Sequence, residues 1–183
     1  MKSGLFSHEG TRAHCKLFYA LTFAGLALFL DILTKQLILR NLVMNEAREV
    51  TGFLNMVLVM NSGAAFSLFS GQGAGQGVKM ALLSVVAMIP IVILYRMSPH
   101  NQRLQPAALG AILGGAVGNI HDRLRYNAVV DFLDFHIGTR HWPAFNVADV
   151  AVVAGLALFT LSLALGLRKP KGSPKKGSPD KNT

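Results

Sequence analysis

Charged residues and cysteines are scarce in this sequence, and their scarcity restricts the class of protein. Of the 183 residues only 15% are charged, below the roughly 25% that is typical of soluble domains. The single cysteine, Cys15, excludes an internal disulfide and a site built from several thiolates. Cys15 also precedes the first long apolar run, whereas a lipid-accepting cysteine would follow it, so we do not expect a processed lipoprotein.

Patterns typical of metal sites, serine hydrolases and nucleic-acid binding are missing as well. His121, His136 and His141 lack the His-Glu-x-x-His spacing of a zinc site, and no Ser-His-Asp set fits beside them. The formal net charge is +9, but the basic residues are not interleaved with aromatic ones in a stripe. We therefore predict no metal, no cofactor and no nucleic-acid partner.

Long apolar segments are present instead, since 51% of the residues are hydrophobic. Four segments approach the roughly 20 residues that a helix needs to cross a bilayer. They predict a single membrane-embedded domain over 1–167, followed by a disordered basic tail over 168–183. The predicted spans are about 17–37, 78–95, 104–124 and 147–167.

The distribution of lysine and arginine predicts the orientation of these spans. Basic residues precede the first span, separate the second from the third at Arg96 and Arg103, and follow the fourth. Because positive residues in short flanking segments stay on the cytoplasmic side, both termini are expected there. The outer segments are then about 38–77 and 125–146. Within the first, residues 50–60 read as one or two short strands, and the glycine-rich stretch 70–77 as a flexible connector.

This topology places most of the acidic residues near the outer boundary of the membrane. Each ionisable group within a span costs about 2.5 to 3.5 kcal/mol on insertion scales and is therefore a candidate for function. Five of the nine acidic residues fall in this layer, and uncharged and basic polar residues join them. The acidic residues are Asp31, Asp122, Asp131, Asp134 and Asp149; Asn61, Asn119, Arg123 and Asn146 accompany them.

Several of these residues have a structural interpretation beside the functional one. Asn146 and Asp149 suit the N-cap and the first turn of the fourth helix. Asn119 and Arg123 share a helix face, which is ordinary pairing at a helix end but also directs a guanidinium toward a carboxylate.

Structural interpretations also apply to the remaining charged residues. Lys35 shares a face with Asp31 and has a side chain long enough to extend to the membrane surface. Asp122 is adjacent to Arg123 and suits a local ion pair, and Asp134 suits a solvated loop. These interpretations explain single residues but not their common depth.

Small residues in the third span favour close helix packing. Gly114 and Gly118 are four residues apart, a spacing that lets a neighbouring helix approach. We expect this packing to bring Asn119 and Arg123 against the start of the fourth span.

Five motifs in this polar layer together resemble those of the bacterial lipoprotein signal peptidases, or type II signal peptidases. They occur in the family's order between residues 17 and 167. The motifs are Asp31-Ile-Leu-Thr-Lys35, Asn61-Ser-Gly-Ala-Ala-Phe66, Gly114-Gly-Ala-Val-Gly-Asn-Ile-His-Asp-Arg123, Val129-Val-Asp-Phe132 and Phe145-Asn-Val-Ala-Asp149.

The resemblance implies an all-α membrane protein with four transmembrane helices, a small extracytoplasmic β-cradle and a short mobile helix. It implies a monomeric aspartic endopeptidase of the bacterial inner membrane that cleaves diacylglyceryl-modified prolipoproteins before the lipid-bearing cysteine. Asp131 and Asp149 correspond to its catalytic pair. The positions implied to support this pair or to contact substrate are Asp31, Lys35, Asn61, Gly63, Asn119, Arg123 and Asn146.

Two other functions are compatible with polar residues in a membrane protein. A small proton- or ion-coupled transporter would also use carboxylates and a basic partner, but it predicts polar residues through the full depth of the helices. The segments from Met80 to Tyr95 and from Val150 to Leu167 contain no charged residue. In a non-enzymatic scaffold protein, the polar layer would only stabilise the helix bundle.

Overall fold

The computed structural model describes residues 5–63, 75–99 and 103–167. These residues form four helices, one in each segment predicted as a span, and four strands; α1 extends well beyond the predicted 17–37. The elements are α1 (Leu5–Asn41), β1 (Ala47–Thr51), β2 (Leu54–Asn61), α2 (Gln76–Met97), α3 (Leu104–Tyr126), β3 (Val129–Ile137), β4 (Arg140–His141) and α4 (Val147–Leu167). The predicted basic tail lies outside the described residues. So does most of the glycine-rich connector, the segment that fits the short mobile helix implied by the family resemblance.

Three of the helices are long and apolar enough to cross a membrane: Ala13–Asn41, Gln76–Met97 and Val147–Leu165. They expose large apolar side chains such as Leu82, Val86 and Val153 along their lengths. Such continuous apolar surface suits contact with lipid rather than water. The described helix α3 is not in this group, because glycines and a polar end lower its hydropathy. It is instead packed against all three of the others.

Glycines allow α3 to approach both of its main neighbours at backbone distance. A Cβ added at Gly114 would overlap the backbone of Ala24 in α1, and one at Gly118 would overlap the Asp31 side chain. A Cβ at Gly115 would meet the Ala148 carbonyl in α4. The predicted close packing is therefore present, but Gly114 and Gly118 contact the first helix, whereas Gly115 contacts the fourth.

The strands form one antiparallel sheet in the order β1-β2-β3-β4. The strands predicted within 50–60 are confirmed as parts of β1 and β2. No strand was predicted within 125–146, where β3 and β4 lie. In the register of β2 and β3, Val59 pairs with Asp131 and Asn55 with Asp134, with an irregularity between Met56 and Val59. Strand pairing of this kind depends on partners distant in the chain, which local patterns do not reveal.

A small apolar core joins the sheet to the end of α1. It contains Ile38 from the last turns of α1, Leu42 just after the helix, Leu58 from β2, and Val130 and Phe132 from β3. Val130 and Phe132 are almost fully buried and flank the polar residue between them. The core therefore holds the start of β3, and with it Asp131, against the polar end of the helix bundle.

Candidate active site

Asp131 and Asp149 are brought together by a single buried asparagine. Asn146 is fully buried, and its side-chain Nδ2 donates a hydrogen bond of 2.7 Å to Asp131 Oδ1. Its backbone N–H donates a bond of 3.2 Å to Asp149 Oδ2. The two carboxylates predicted as a pair thus share one residue as a hydrogen-bond donor, although they belong to different elements.

The other oxygen of each carboxylate is held by a further asparagine. Asn61 Nδ2 donates to Asp131 Oδ2 over 2.9 Å, and Asn119 Nδ2 donates to Asp149 Oδ1 over 2.8 Å. The Oδ1 of Asn61 accepts a bond of 3.0 Å from the backbone N–H of Gly63. This bond fixes which end of the Asn61 amide faces the carboxylate. Gly63 has a φ of 81°, a conformation that favours glycine.

Asp149 also takes part in the cap of α4, so its structural interpretation is correct as well. Asn146 Oδ1 accepts a bond of 3.0 Å from the Asp149 backbone N–H, while Asp149 Oδ2 accepts one from the Asn146 backbone N–H. Reciprocal bonds of this kind form a capping box, which satisfies two otherwise unpaired donors. The cap holds Asp149 in one conformation beside Asn146.

Asp131 is almost completely buried, and its pKa is raised to about 6, chiefly by this burial. The negative charge of Asp149 contributes to the rise, whereas the hydrogen bonds from Asn61 and Asn146 and the charge of Lys35 oppose it. An ordinary aspartate has a pKa of about 3.9. Asp131 therefore keeps a proton at a pH where a solvated carboxylate is ionised, as an acid in a catalytic pair must.

Lys35 is buried between two further carboxylates. Its Nζ lies 2.7 Å from Asp31 Oδ2 and 2.8 Å from Asp122 Oδ2, and it donates to Asn119 Oδ1 over 3.1 Å. With 2% of its surface exposed, Lys35 does not extend to the membrane surface. Asp122 pairs with Lys35 and, among the described residues, not with Arg123. Sequence reasoning missed this partnership, although the position of Asp122 in the polar layer was a signal for it.

Asp134 is not a solvated loop residue, as one interpretation had it. It lies in β3 with 8% of its surface exposed and accepts bonds from Asn55 Nδ2 at 3.0 Å and from His141 Nδ1 at 2.9 Å. Burial raises the pKa of Asp134, but these two hydrogen bonds and the histidine charge outweigh it, and the net pKa is lowered. Asp134 belongs to a separate cluster on the outer part of the sheet.

Arg123 faces a cavity between α2 and α3 rather than a carboxylate. The cavity has a volume of about 270 Å³ and is also lined by Asn61, Gly63 and Ser84. Within residues 5–63, 75–99 and 103–167, Arg123 forms no salt bridge, although its charge acts on both Asp131 and Asp149. It is therefore a cation beside the aspartates whose donors remain available for a ligand within this part of the structure.

Asp149 also borders an apolar groove of about 580 Å³. The groove begins at Trp142 and Phe145 and continues along α4 past Val150 and Val153. Trp142 is 70% exposed, as suits an aromatic residue at a membrane interface. A ligand at Asp149 thus has polar surface on one side and apolar surface on the other.

The described residues contain no group of His, Cys, Asp or Glu side chains arranged to hold a metal ion. The site is instead a set of carboxylates, asparagines and two cations at one end of a helix bundle. Fold and site together define an integral membrane protein in which a buried carboxylate, Asp131, is paired with a partly exposed one, Asp149.

Comparison with known proteins identifies the family. Residues 23–165 match the model of signal peptidase II. Lipoprotein signal peptidases of Cupriavidus taiwanensis and Paraburkholderia phytofirmans are 47% and 44% identical to this chain. The alignment with the first covers 81% of this chain and 84% of the relative; the alignment with the second covers 82% and 85%. The chain therefore belongs to the signal peptidase II family, a family of membrane peptidases.

Two solved structures of bacterial membrane enzymes, both obtained by the in meso method, have a similar fold. The first, at 1.9 Å resolution, superimposes with a TM-score of 0.68 at 27% identity over 79% of this chain and 91% of the other. The second, at 2.3 Å resolution, has a TM-score of 0.70 at 26% identity over 86% and 94%. The fold neighbours agree with a multi-pass membrane protein.

Proposed function

We propose that this protein is an aspartic endopeptidase that removes signal peptides from diacylglyceryl-modified prolipoproteins, cleaving before the lipid-bearing cysteine. The observation that carries the proposal is the sharing of Asn146 by Asp131 and Asp149. Membership of the signal peptidase II family supports it. Asp131 and Asp149 are the proposed catalytic residues.

The proposed reaction uses a water molecule activated between the two carboxylates. Two carboxylates that share one proton have pKa values driven apart, so one acts as a base while the other donates a proton. The base takes a proton from water as its oxygen attacks the scissile carbonyl carbon, and the protonated carboxyl donates to the developing oxyanion. The proton held by the base then passes to the leaving amide nitrogen when the C–N bond breaks, and the carbonyl re-forms as one hydroxyl returns its proton to the carboxylate that donated it.

The residues around the pair have separate proposed roles. Asn61, Asn119 and Asn146 hold the carboxylate oxygens in place, and their bonds leave the pair little rotational freedom. Arg123 faces the cavity beside the pair and suits contacts with the carbonyl groups of an extended substrate. Gly63 lines the same cavity, and its lack of a side chain leaves room for the substrate backbone. Asp31 and Lys35 act indirectly. Lys35 donates to Asn119, and Asp31 accepts a bond from the backbone at the start of α4.

The substrate's lipid suits the apolar groove along α4. Extracting acyl chains from the bilayer would cost about 0.8 kcal/mol for each CH₂ group. A site at the membrane boundary avoids this cost, because the chains can remain in lipid or in the groove past Val150 and Val153. Membrane lipid is therefore a partner as well as the surroundings.

We further propose that the protein works as a monomer of a single domain, 1–167, with four transmembrane helices in the bacterial inner membrane. The fourth span would be α3, which three apolar helices shield from lipid and which can therefore carry polar residues. Lysine and arginine in the flanking segments support cytoplasmic termini and a site near the outer face. The sheet would then form the extracytoplasmic cradle.

An ion-coupled transporter is the alternative function. It requires polar groups through the depth of the membrane, yet the sequence of α4 from Val150 onward contains none that is charged. The polar layer is confined to one end of the bundle, which favours the peptidase.

The direct test is cleavage of a synthetic diacylglyceryl-modified precursor peptide by the purified protein in detergent micelles. We expect wild type to release the signal peptide, and Asp131→Asn and Asp149→Asn to abolish release while remaining folded. An unlipidated precursor of the same sequence is the substrate control. If wild type ignores the lipidated precursor, the substrate assignment is wrong; if either variant cleaves at an undiminished rate, the catalytic pair is wrong.

A further inference from the structure

The ion cluster of Asp31, Lys35 and Asp122 is almost completely shielded from solvent. Their exposed fractions are 0%, 2% and 2%, and the two carboxylates lie 2.7 and 2.8 Å from the same ammonium. Burying three charges is expensive, and apolar residues of similar volume would often stabilise a fold as well or better. A buried cluster with two negative groups and one positive group therefore calls for a reason beyond stability.

Each carboxylate of the cluster also holds the backbone just before one of the proposed catalytic residues. Asp31 Oδ1 accepts a bond of 2.9 Å from the backbone N–H of Ala148, which precedes Asp149. Asp122 Oδ2 accepts a bond of 3.2 Å from the backbone N–H of Val130, which precedes Asp131. The two carboxylates thus make equivalent contacts, and both are bound to the Lys35 ammonium.

We propose that Asp31, Lys35 and Asp122 form a positioning clamp that sets the separation of the Asp131 and Asp149 carboxylates and their shared charge. The inference rests on the proposed function, since it assigns roles toward that catalytic pair. None of the three is a catalytic residue in this proposal. Asp122 in particular acts through the Val130 backbone.

A clamp is needed because the pair is divided between β3 and α4. On the outer side these elements are joined at Phe145, which accepts bonds from the Phe132 and Leu133 backbones and donates one to Leu133. On the inner side the link passes through the Lys35 cluster. A displacement of about 1 Å between reacting groups can lower the rate about 100-fold.

The charge of the clamp also reaches Asp131. The charged groups around Asp131 are Lys35 from α1, Asp149 from α4, and Asp122 and Arg123 from α3. The Lys35 ammonium lowers the pKa of Asp131, and the carboxylates of Asp31 and Asp122 partly neutralise that ammonium. Removing either carboxylate charge should therefore lower the pKa of Asp131 further, whereas removing the ammonium should raise it.

The experiment compares Asp31→Asn, Asp122→Asn and Lys35→Met with wild type and with Asp134→Asn, whose carboxylate lies outside the clamp. For each purified variant, kcat and KM for the lipidated precursor are measured across pH, and the folded fraction is measured by thermal unfolding in the same detergent. We expect kcat to fall about 100-fold in the clamp variants while KM changes little, because positioning rather than binding is lost.

The pH profile supplies the readout that a purely structural role would not move. We expect the high-pH limb of kcat/KM to shift to lower pH in Asp31→Asn and Asp122→Asn, and to higher pH in Lys35→Met. Asp134→Asn should leave kcat and the limb unchanged. If Lys35→Met does not fold, the two isosteric asparagine variants still decide, since both shifts have the same predicted direction.

Two results would overturn the clamp. One is a folded Asp31→Asn or Asp122→Asn variant with wild-type kcat and no shift in the high-pH limb of kcat/KM. The other is a loss of activity that only follows the folded fraction, again with an unmoved limb. Either would leave the proposed function standing as long as wild type cleaves and Asp131→Asn does not. Retained cleavage by folded Asp131→Asn would instead reject the catalytic pair itself.

Discussion

The two halves of β3 carry the same residue type in opposite electrostatic settings. Asp131, in the inner half, is buried among apolar neighbours and has its pKa raised to about 6. Asp134, in the outer half, has its pKa lowered, because the bonds from Asn55 and His141 outweigh burial. Each carboxylate accepts a hydrogen bond from the Nδ2 of an asparagine in β2, at 2.9 Å for Asp131 and 3.0 Å for Asp134. The two sites are distinguished by the depth of burial, by a second carboxylate near Asp131 and by a histidine beside Asp134, rather than by the residue type or its amide partner.

The largest expected difference is in cleavage after removal of each charge. Asp131→Asn should lower kcat at least about 10²- to 10⁴-fold, the range attributed to one acid or base group. Asp134→Asn should cleave at close to the wild-type rate, since its cluster makes no hydrogen bond to the proposed catalytic pair among the described residues. Initial rates of precursor cleavage at equal enzyme concentration measure both. Equal losses in the two variants would mean that the halves of the strand are functionally equivalent.

The next difference concerns the asparagines. Asn146→Ala removes the side-chain donor to Asp131 Oδ1 and the acceptor of the Asp149 backbone N–H, and leaves these two groups unpaired, at about 1–3 kcal/mol for each unsatisfied group. We expect a large loss of kcat and a lower melting temperature. Asn55→Ala removes the corresponding amide donor from Asp134, and we expect it to change kcat and the melting temperature only slightly.

Thermal unfolding and kcat for this asparagine pair are measured in the same preparation. A folded Asn146→Ala protein with wild-type kcat would contradict the role of Asn146 in joining the pair.

We expect the pH dependence of cleavage to reflect the titration of Asp131, in the inner half of β3, and not that of Asp134. Because the pKa of Asp131 is raised to about 6, the shared proton is retained below that pH and lost as the pH rises through it. The value of kcat/KM, which reflects the free enzyme, should therefore decline above about pH 6. The limb should be the same in Asp134→Asn, and a limb that moves in this variant would contradict the separation of the two clusters.

The smallest expected effect is on stability at low pH. The pKa of Asp134 is lowered from its ordinary value of 3.8, so its ionised form stabilises the fold above that pH. This contribution is lost as the pH falls through the lowered value. The melting temperature of wild type should exceed that of Asp134→Asn slightly near pH 6, and the difference should shrink as the pH falls below 3.8 and through the lowered pKa. A difference that grows toward low pH would show the opposite sign of linkage.

Local patterns in the sequence were sufficient for the helices. The predicted spans 104–124 and 147–167 agree closely with α3 (Leu104–Tyr126) and α4 (Val147–Leu167), because hydropathy sums over adjacent residues. The strands in 50–60 were also predictable from β-branched residues between turn signals. β3 was not predicted, since its stability comes from pairing with β2 and from the core around Val130 and Phe132.

The polar site was only partly predictable. The common depth of Asp131 and Asp149 followed from topology, and the family motifs selected Asp131 from its acidic neighbours. The pairing of Asp122 with Lys35 did not follow, because residues on separate helices meet only through packing. The Asp122 and Arg123 side chains are adjacent in sequence, yet they point to different parts of the helix surface.

The sequence by itself determined that this chain is a membrane protein with a polar layer at one end, because apolar length and the position of charges are local properties. It also determined the family, through motifs in a fixed order. Only the tertiary structure decided which neighbours each acid has: Asn146 between Asp131 and Asp149, Lys35 between Asp31 and Asp122, and His141 beside Asp134. The physical reason is that hydrogen bonds and burial depend on distances between elements, which the packing of α1, α3, α4 and the sheet sets.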